Sequence, residues 1–392
     1  MFSLKQATQT YYGFTTLFTA NFLIFFSGGM LNYVNSAFLG TLFSPEAVTL
    51  IFVALSLLSI ASLAFIPSLL RSFGIRSVLV WLIPIAQLAI LLYGLGKGTP
   101  TVLLFFLAQG IALTLLTYLM DLYIENLTKN EGETGSIRSL FLTAMNLATL
   151  LAPITIIFLV IDNYYSSLFA LAAAILIPVF ALSLTSFKKL EPRVPEKSSF
   201  LEAIMSLRTC RYSLARVIGA HFVLQMFFAW MVIYAPLFLL QSGYSWQVIG
   251  SVFIFALLPY LILDIPVGIL ADRYFGEVEM MAIGFVILAV ALASLSFIPV
   301  SLIVFWAIAF FFTRVGAALV EVTTESYFFK QVNESDAALV SLFRMLRPFG
   351  LLGGSLLGLL FLPLLGFQYL FAAFGVIILF GIPLALRIRD SR

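Results

Sequence analysis

The run "SLIVFWAIAFFFTRVGAALVEVTTE", residues 301–325, is long enough to cross a bilayer, yet it carries Arg314, Glu321 and Glu325. A spanning helix needs about 20 mostly apolar residues, and this segment supplies them. An ionisable side chain within the hydrocarbon costs several kcal/mol unless it is paired or wetted, so each one asks for a task. At 3.6 residues per turn, Arg314, Ala317, Ala318, Glu321 and Glu325 fall on one face of the helix.

The rest of the chain has the same character. Of its 392 residues, 62% are hydrophobic and 10% are charged, whereas a soluble domain is about half apolar and about a quarter charged. Lipid must therefore be much of the solvent. A net charge of +3, not gathered into a basic tail, argues against a nucleic-acid partner. Cys210 is the only cysteine, which excludes an internal disulfide and a cysteine metal site. The first twenty residues hold one lysine and no small-residue cleavage site, so no signal peptide is expected.

Apolar segments of spanning length fall at 14–38, 47–70, 77–96, 100–124, 138–161 and 163–186, then at 214–239, 246–271, 279–299, 301–325, 339–363 and 366–386. Short turns rich in Gly, Pro, Asn or Ser separate them. The expected fold is an all-α membrane protein: twelve transmembrane helices in two pseudo-symmetric six-helix halves. The N-terminal half covers 1–186, a cytoplasmic linker 187–213, and the C-terminal half 214–392. In the linker, "SFLEAIMSLR" opens with Ser199 and Glu202 at capping-box spacing, which predicts a short helix lying on the membrane surface.

Lysine and arginine set the orientation, because short loops that carry them stay inside. With both termini in the cytoplasm, 19 of the 21 lysines and arginines fall at the cytoplasmic side, Lys97 alone falls outside, and Arg314 falls in a membrane segment. The expected location is the inner or plasma membrane of the cell. Asn126 and Asn333 then face the cytoplasm, unglycosylated.

The halves also echo each other at a period near 200 residues. "NFLI" at 21 answers "HFVL" at 221, Asp121 and Glu125 answer Glu321 and Glu325, and Gly74 answers Gly276. Duplicated helical halves enclosing a midplane site are a transporter pattern. No loop is long enough for an ATPase. "GLGKG" at 94–98 lacks the preceding strand and the following Ser or Thr of a phosphate loop. We therefore expect no enzyme activity, no cofactor and no metal.

The junction after the eighth span reads "DIPVGILADRYFG", residues 264–276. It resembles the cytoplasmic loop motif G-x-L-A-D-R-x-G of the major facilitator superfamily, through Gly268, Leu270, Ala271, Asp272, Arg273 and Gly276. The first-half copy, "IPSLLRSFGIRS", keeps Arg71, Gly74 and Arg76 but has Leu70 in place of the aspartate. The resemblance implies a cytoplasmic gate that locks one state through Asp272 and Arg273, with Arg138 opposite. To that gate we add Gly268, Gly276, Asp264, Glu125, Glu325, Gly74, Arg76 and Arg344. "LLAPITI" around Pro153 is too far from the family's antiporter pattern to assign antiport. Gly350, Gly353, Gly354 and Gly358 are read as a close-packing face.

In that family helices 1, 4, 7 and 10 line the central cavity. The resemblance therefore implies substrate contacts at Arg314, Asn21, Gln109, His221, Gln225 and Tyr234, and proton coupling at Glu321 and Asp121. Two readings of Arg314 stay open: it meets an anionic group of the solute or an exchanging acid, or it pairs structurally with a neighbouring helix. His221, the only histidine, is equally readable as a satisfied structural group. The expected function is secondary active transport of a small solute by alternating access, in a monomer bathed in lipid. Proton-coupled export of amphipathic compounds is the first expectation, because "DIPVGILADR" resembles efflux-like members. Uptake of an organic anion held by Arg314 is the alternative. A non-transporting membrane sensor or assembly factor on the same fold is the reading from another class.

Overall fold

In lipid a backbone finds no water to bond, so a spanning segment must satisfy its own amides, and this chain does so with helices. A computed structural model describes residues 4–96, 98–128, 134–187, 205, 212–332 and 337–388. The predicted linker helix around Ser199 and Glu202 lies outside the described residues.

The first half contains α1 (Leu4–Asn32), continued by the short α2 (Asn35–Gly40), then α3 (Pro45–Phe73), α4 (Ile75–Leu95), α5 (Thr99–Thr128), α6 (Thr134–Leu159) and α7 (Ser166–Thr185). The second contains α8 (Tyr212–Gln241), α9 (Trp246–Leu270), α10 (Glu277–Ser294), α11 (Ile303–Gln331), α12 (Ala337–Ile378) and α13 (Gly381–Leu386). Among the described residues, ten segments are long and apolar enough to cross a membrane, with a shorter apolar helix at Thr143–Leu159 in α6. One of the ten, Leu339–Leu386, contains two spans, because α12 breaks at Gly366 (φ 64°, ψ 177°). The count agrees with the twelve expected spans. Large apolar side chains face outward, among them Trp81 at 73% and Phe158 at 72% exposure. On a soluble protein such surface would aggregate, whereas here it is the face offered to lipid.

The chain divides into two compact units, one of Met1–Phe38 with Leu58–Glu196, the other of Leu39–Leu57 with Lys197–Arg392. The division differs from the predicted boundary at 186 chiefly in Leu39–Leu57, which joins the second unit. Thr49 of that segment meets the Tyr234 hydroxyl at 3.2 Å while donating its own proton to the Pro45 carbonyl at 2.8 Å. Gly40 lies against the Leu237 side chain, with no room between them for a Cβ.

The loop glycines behave as their repeat predicts. Gly74 ends α3 and opens α4 at φ 78°, ψ 152°; Gly276 opens α10 at φ 92°, ψ 153°. A side chain is strained at such positive φ, which is why glycine stands in both turns. The turns close differently. The Gly74 amide donates to the Leu70 carbonyl at 2.9 Å, whereas the Gly276 amide reaches one residue further, to the Ala271 carbonyl at 3.1 Å, closing a π-helical turn over Ala271–Phe275.

Each turn is then tied to the end of a neighbouring helix. In the first unit Arg76 donates to the carbonyls of Ser183 (3.2 Å) and Leu184 (2.9 Å) at the C-terminus of α7, where a cation offsets the helix dipole. In the second unit the tie is an ion pair. Glu277, 2% exposed in the first turn of α10, receives Lys330 Nζ at 2.6 Å and the Ser326 hydroxyl at 3.3 Å, both from the end of α11.

The small-residue face of α12 packs as expected. Gly350 rides on the backbone of Gln225, Gly354 on Ala229, and Gly358 under the Tyr234 ring. Trp230 donates from Nε1 to the Gly354 carbonyl at 2.9 Å and stacks flat on Phe374, with centroids 3.9 Å apart. Removing the side chain at these points lets α8 and α12 approach until their backbones nearly touch.

Candidate functional site

Two polar features occupy the helix pair α8 and α11, which pack against each other. The first is a hydrogen-bonded chain. Gln225 Nε2 donates to His221 Nε2 at 2.9 Å, and His221 Nδ1 lies 3.0 Å from the Thr324 hydroxyl. Thr324 donates onward to the Val320 carbonyl at 2.7 Å. Only the neutral Nδ1–H tautomer satisfies every member, since Nε2 must accept while Nδ1 donates. Phe343 of α12 lies over the imidazole, with centroids 4.3 Å apart. His221 and Gln225 are one turn apart and both were expected at the site. Thr324, on another helix, was not.

The second feature is Arg314. Thr313, Arg314, Gly316, Ala317 and Ala318 are all buried on α11, and Gly316 is held against Gly284 and Leu288 of α10. Arg314 is 6% exposed, and its guanidinium carbon lies 4.9 Å from the centroid of the Phe227 ring on α8. The ring face offsets part of the lost hydration. Nε and Nη1 are buried and meet no acceptor among the described residues. A buried cation with two unmet donor nitrogens is costly, and no anion among the described residues relieves it.

The first unit carries groups of the opposite kind. Asn21 on α1 is buried and donates from Nδ2 to the Phe141 carbonyl at 3.4 Å, while its Oδ1 meets no donor among the described residues. Gln109 on α5, 1% exposed, likewise has an unmet Oε1. Helices α1 and α5 pack against each other. Among the described residues, Asn21 and Gln109 thus hold buried acceptors without donors, and Arg314 holds buried donors without acceptors.

The remaining candidates divide by what they touch. Tyr234 is fully buried and taken up by Thr49 and the α12 glycine face, so it is part of the packing of the second unit. Asp121 is half-buried on α5, and Glu321, Glu325 and Arg344 are half-buried on α11 and α12. Gly268 faces Val322 of α11, beside the cluster of Val267, Ala271 and Met280. Arg76 serves as the cap on α7 described above. The side chains of Asp264, Asp272, Arg273, Glu125 and Arg138 lie outside the described residues. Glu277, Ser326 and Lys330 were not foreseen; a glutamate directly after the loop glycine and a lysine closing α11 were the available signals.

A family model described as Major Facilitator Superfamily matches residues 17–258 and 219–392. No curated protein matches the chain. Among solved structures, the chain is similar to a mutant of the nucleoside transporter NupG, with a TM-score of 0.76 at 13% identity over 96% of this chain and 100% of that one. It is also similar to the POT family transporter PepTSo, with a TM-score of 0.75 at 12% identity over 95% of this chain and 97% of that one. At these identities the likeness establishes the fold.

Proposed function

The chain belongs to the Major Facilitator Superfamily, and from that premise we propose that it transports a small organic anion, with Arg314 as the anchor of the anionic group. The observation that carries this reading is the buried Arg314 guanidinium, whose Nε and Nη1 lack an acceptor among the described residues. A carboxylate or phosphate brings several oxygen acceptors to such a guanidinium, together with a charge opposite to its own. Export of amphipathic compounds rests on the loop motif alone, so the anion reading is the one carried forward.

In this reading transport proceeds by alternating access in a cell membrane, with both termini cytoplasmic and Glu321 and Asp121 as the acids that exchange protons. Entry of the anion removes the cost of the unmet donors, so binding is strongest for solutes whose charge reaches Arg314. Both acids are half-buried near the ends of α11 and α5, at matching places in the repeat.

The test is flux into proteoliposomes of small organic monoanions and dianions beside their neutral analogues, with and without a pH gradient. Wild type should move anions in preference to the neutral analogues. Arg314→Ala should lower kcat/KM for the anion by about 30-fold or more, the scale of losing a buried charge partner. Glu321→Gln should abolish the response to the pH gradient while leaving anion binding in place. Normal anion flux in Arg314→Ala, or equal flux of the neutral analogues, would overturn the anchor. No flux of any solute, with capture of a protein partner instead, would overturn transport itself.

A further inference from the structure

At the end of the second unit where α8 begins and the last span finishes, a cleft of about 410 Å³ opens on the outer surface. Tyr212, Ala215 and Arg216 of α8 form one wall; Phe380, Pro383, Leu384 and Arg387 form the other. Among the described residues the lining therefore holds two arginines and no acid. Arg216 lies flat on the Tyr212 ring, 3.8 Å from its centroid, and donates from Nη1 to the Arg387 carbonyl. Its other guanidinium donors meet no acceptor among the described residues. Arg387 is exposed, as are Phe380 (63%), Tyr212 (72%) and Leu386.

The cleft is thus amphipathic along its length. Its apolar part, Phe380, Pro383 and Leu384, belongs to a surface that faces lipid. Its charged part sits at the ends of two spans, at the start of α8 and just past α13. The floor is firm: Gly381 sits against the Phe285 ring of α10, and Leu384 lies 3.5 Å from where a Cβ would stand on Gly219.

We propose that this cleft holds one anionic phospholipid, its phosphate between Arg216 and Arg387 and an acyl chain along Phe380, Pro383 and Leu384. The charges are complementary, the Arg216 fork is already fixed by Tyr212 and the Arg387 carbonyl, and basic pockets beside spans at the cytoplasmic side attract anionic headgroups. A free anion would use the arginines and leave the apolar wall without a role. The site does not depend on the Arg314 reading.

Native mass spectrometry of the full chain in detergent, offered equal amounts of phosphatidylglycerol and phosphatidylcholine, tests it. Wild type should retain one phosphatidylglycerol in preference to phosphatidylcholine. Each arginine near an anionic surface is worth about fivefold in affinity, so Arg216→Gln with Arg387→Gln should weaken retention about 25-fold. If the double variant does not fold, Arg387→Gln alone, at an exposed position, should weaken it about fivefold. Equal retention of phosphatidylcholine, or undiminished phosphatidylglycerol on the variants, overturns the proposal. So does displacement of phosphatidylglycerol by millimolar inorganic phosphate, which would mark a free-anion site.

Discussion

On α11, Thr324 and Arg314 stand about 15 Å apart along one helix, at 1.5 Å per residue, and both look toward α8. Around Thr324 the chemistry is complete: Gln225 donates a hydrogen bond to His221, His221 to Thr324, and Thr324 to a backbone carbonyl. Around Arg314 it is incomplete: a ring face lies over the cation, and two donor nitrogens meet no acceptor among the described residues. Both sites are buried and polar, so burial does not separate a structural group from a recognition group. The unmet hydrogen-bonding capacity does. A satisfied network stabilises the fold that contains it, whereas an unsatisfied one costs stability and is repaid only when something binds.

The largest stability effect expected from this contrast is at His221. His221→Ala removes the middle of the chain, leaves Gln225 Nε2 buried without an acceptor, and empties the space under Phe343. The cost should be about 3 kcal/mol, read as a lower midpoint of thermal unfolding in detergent. A variant as stable as wild type would mean that the chain is ornamental, and the contrast with Arg314 would fail.

Thr324→Val is the gentler version. It keeps the shape, deletes the hydroxyl that His221 Nδ1–H donates to, and should cost about 1–2 kcal/mol. Thr324→Ser should restore most of it, because the hydroxyl rather than the methyl carries the bond. If valine and serine were equally stable, packing and not hydrogen bonding would hold α8 against α11 at this level.

How much of this was legible in the sequence follows from the range of each interaction. The twelve spans are readable because lipid demands a local count of apolar residues, and the count is enough. Gly74 and Gly276 are readable because a turn at positive φ is decided by one residue. Gly350, Gly354 and Gly358 are readable as a face because their spacing follows the helix period, although the partner, α8, is not. The ties between helix ends were hidden. Glu277 and Lys330 meet across more than fifty residues of chain, and no period relates them. Arg76 was expected at the gate on the strength of its loop, but its reach to the α7 carbonyls depends on how α4 and α7 lie together. The same limit applies to the candidate site. His221 and Gln225 were visible as neighbours one turn apart, but Thr324, which makes their chain complete, sits on another helix. Arg314 was visible because a charge in a span is conspicuous. That two of its donors stay unmet is a statement about every surrounding helix, which no local pattern contains.

The smallest stability effect belongs to Arg314, and it is the one that bears most directly on the contrast. Arg314→Met keeps the length and apolar stem of the side chain but removes the charge and the unmet donors. Replacing a buried cation that lacks a partner by an apolar residue of similar volume is neutral or stabilising, by an amount on the order of 1–4 kcal/mol at most. The unliganded variant should therefore melt at the wild-type temperature or above it, although the substitution is buried in the middle of a packed helix pair. The second half of the prediction concerns ligand. An anion that raises the melting temperature of wild type should leave that of Arg314→Met unchanged, since the stabilisation by a ligand scales with its affinity. A clear loss of stability in the unliganded variant would show that Arg314 is already paired in the resting protein. The two levels of α11 would then be alike, both finished, and the recognition site would have to be sought among the unmet acceptors of the other half, Asn21 and Gln109.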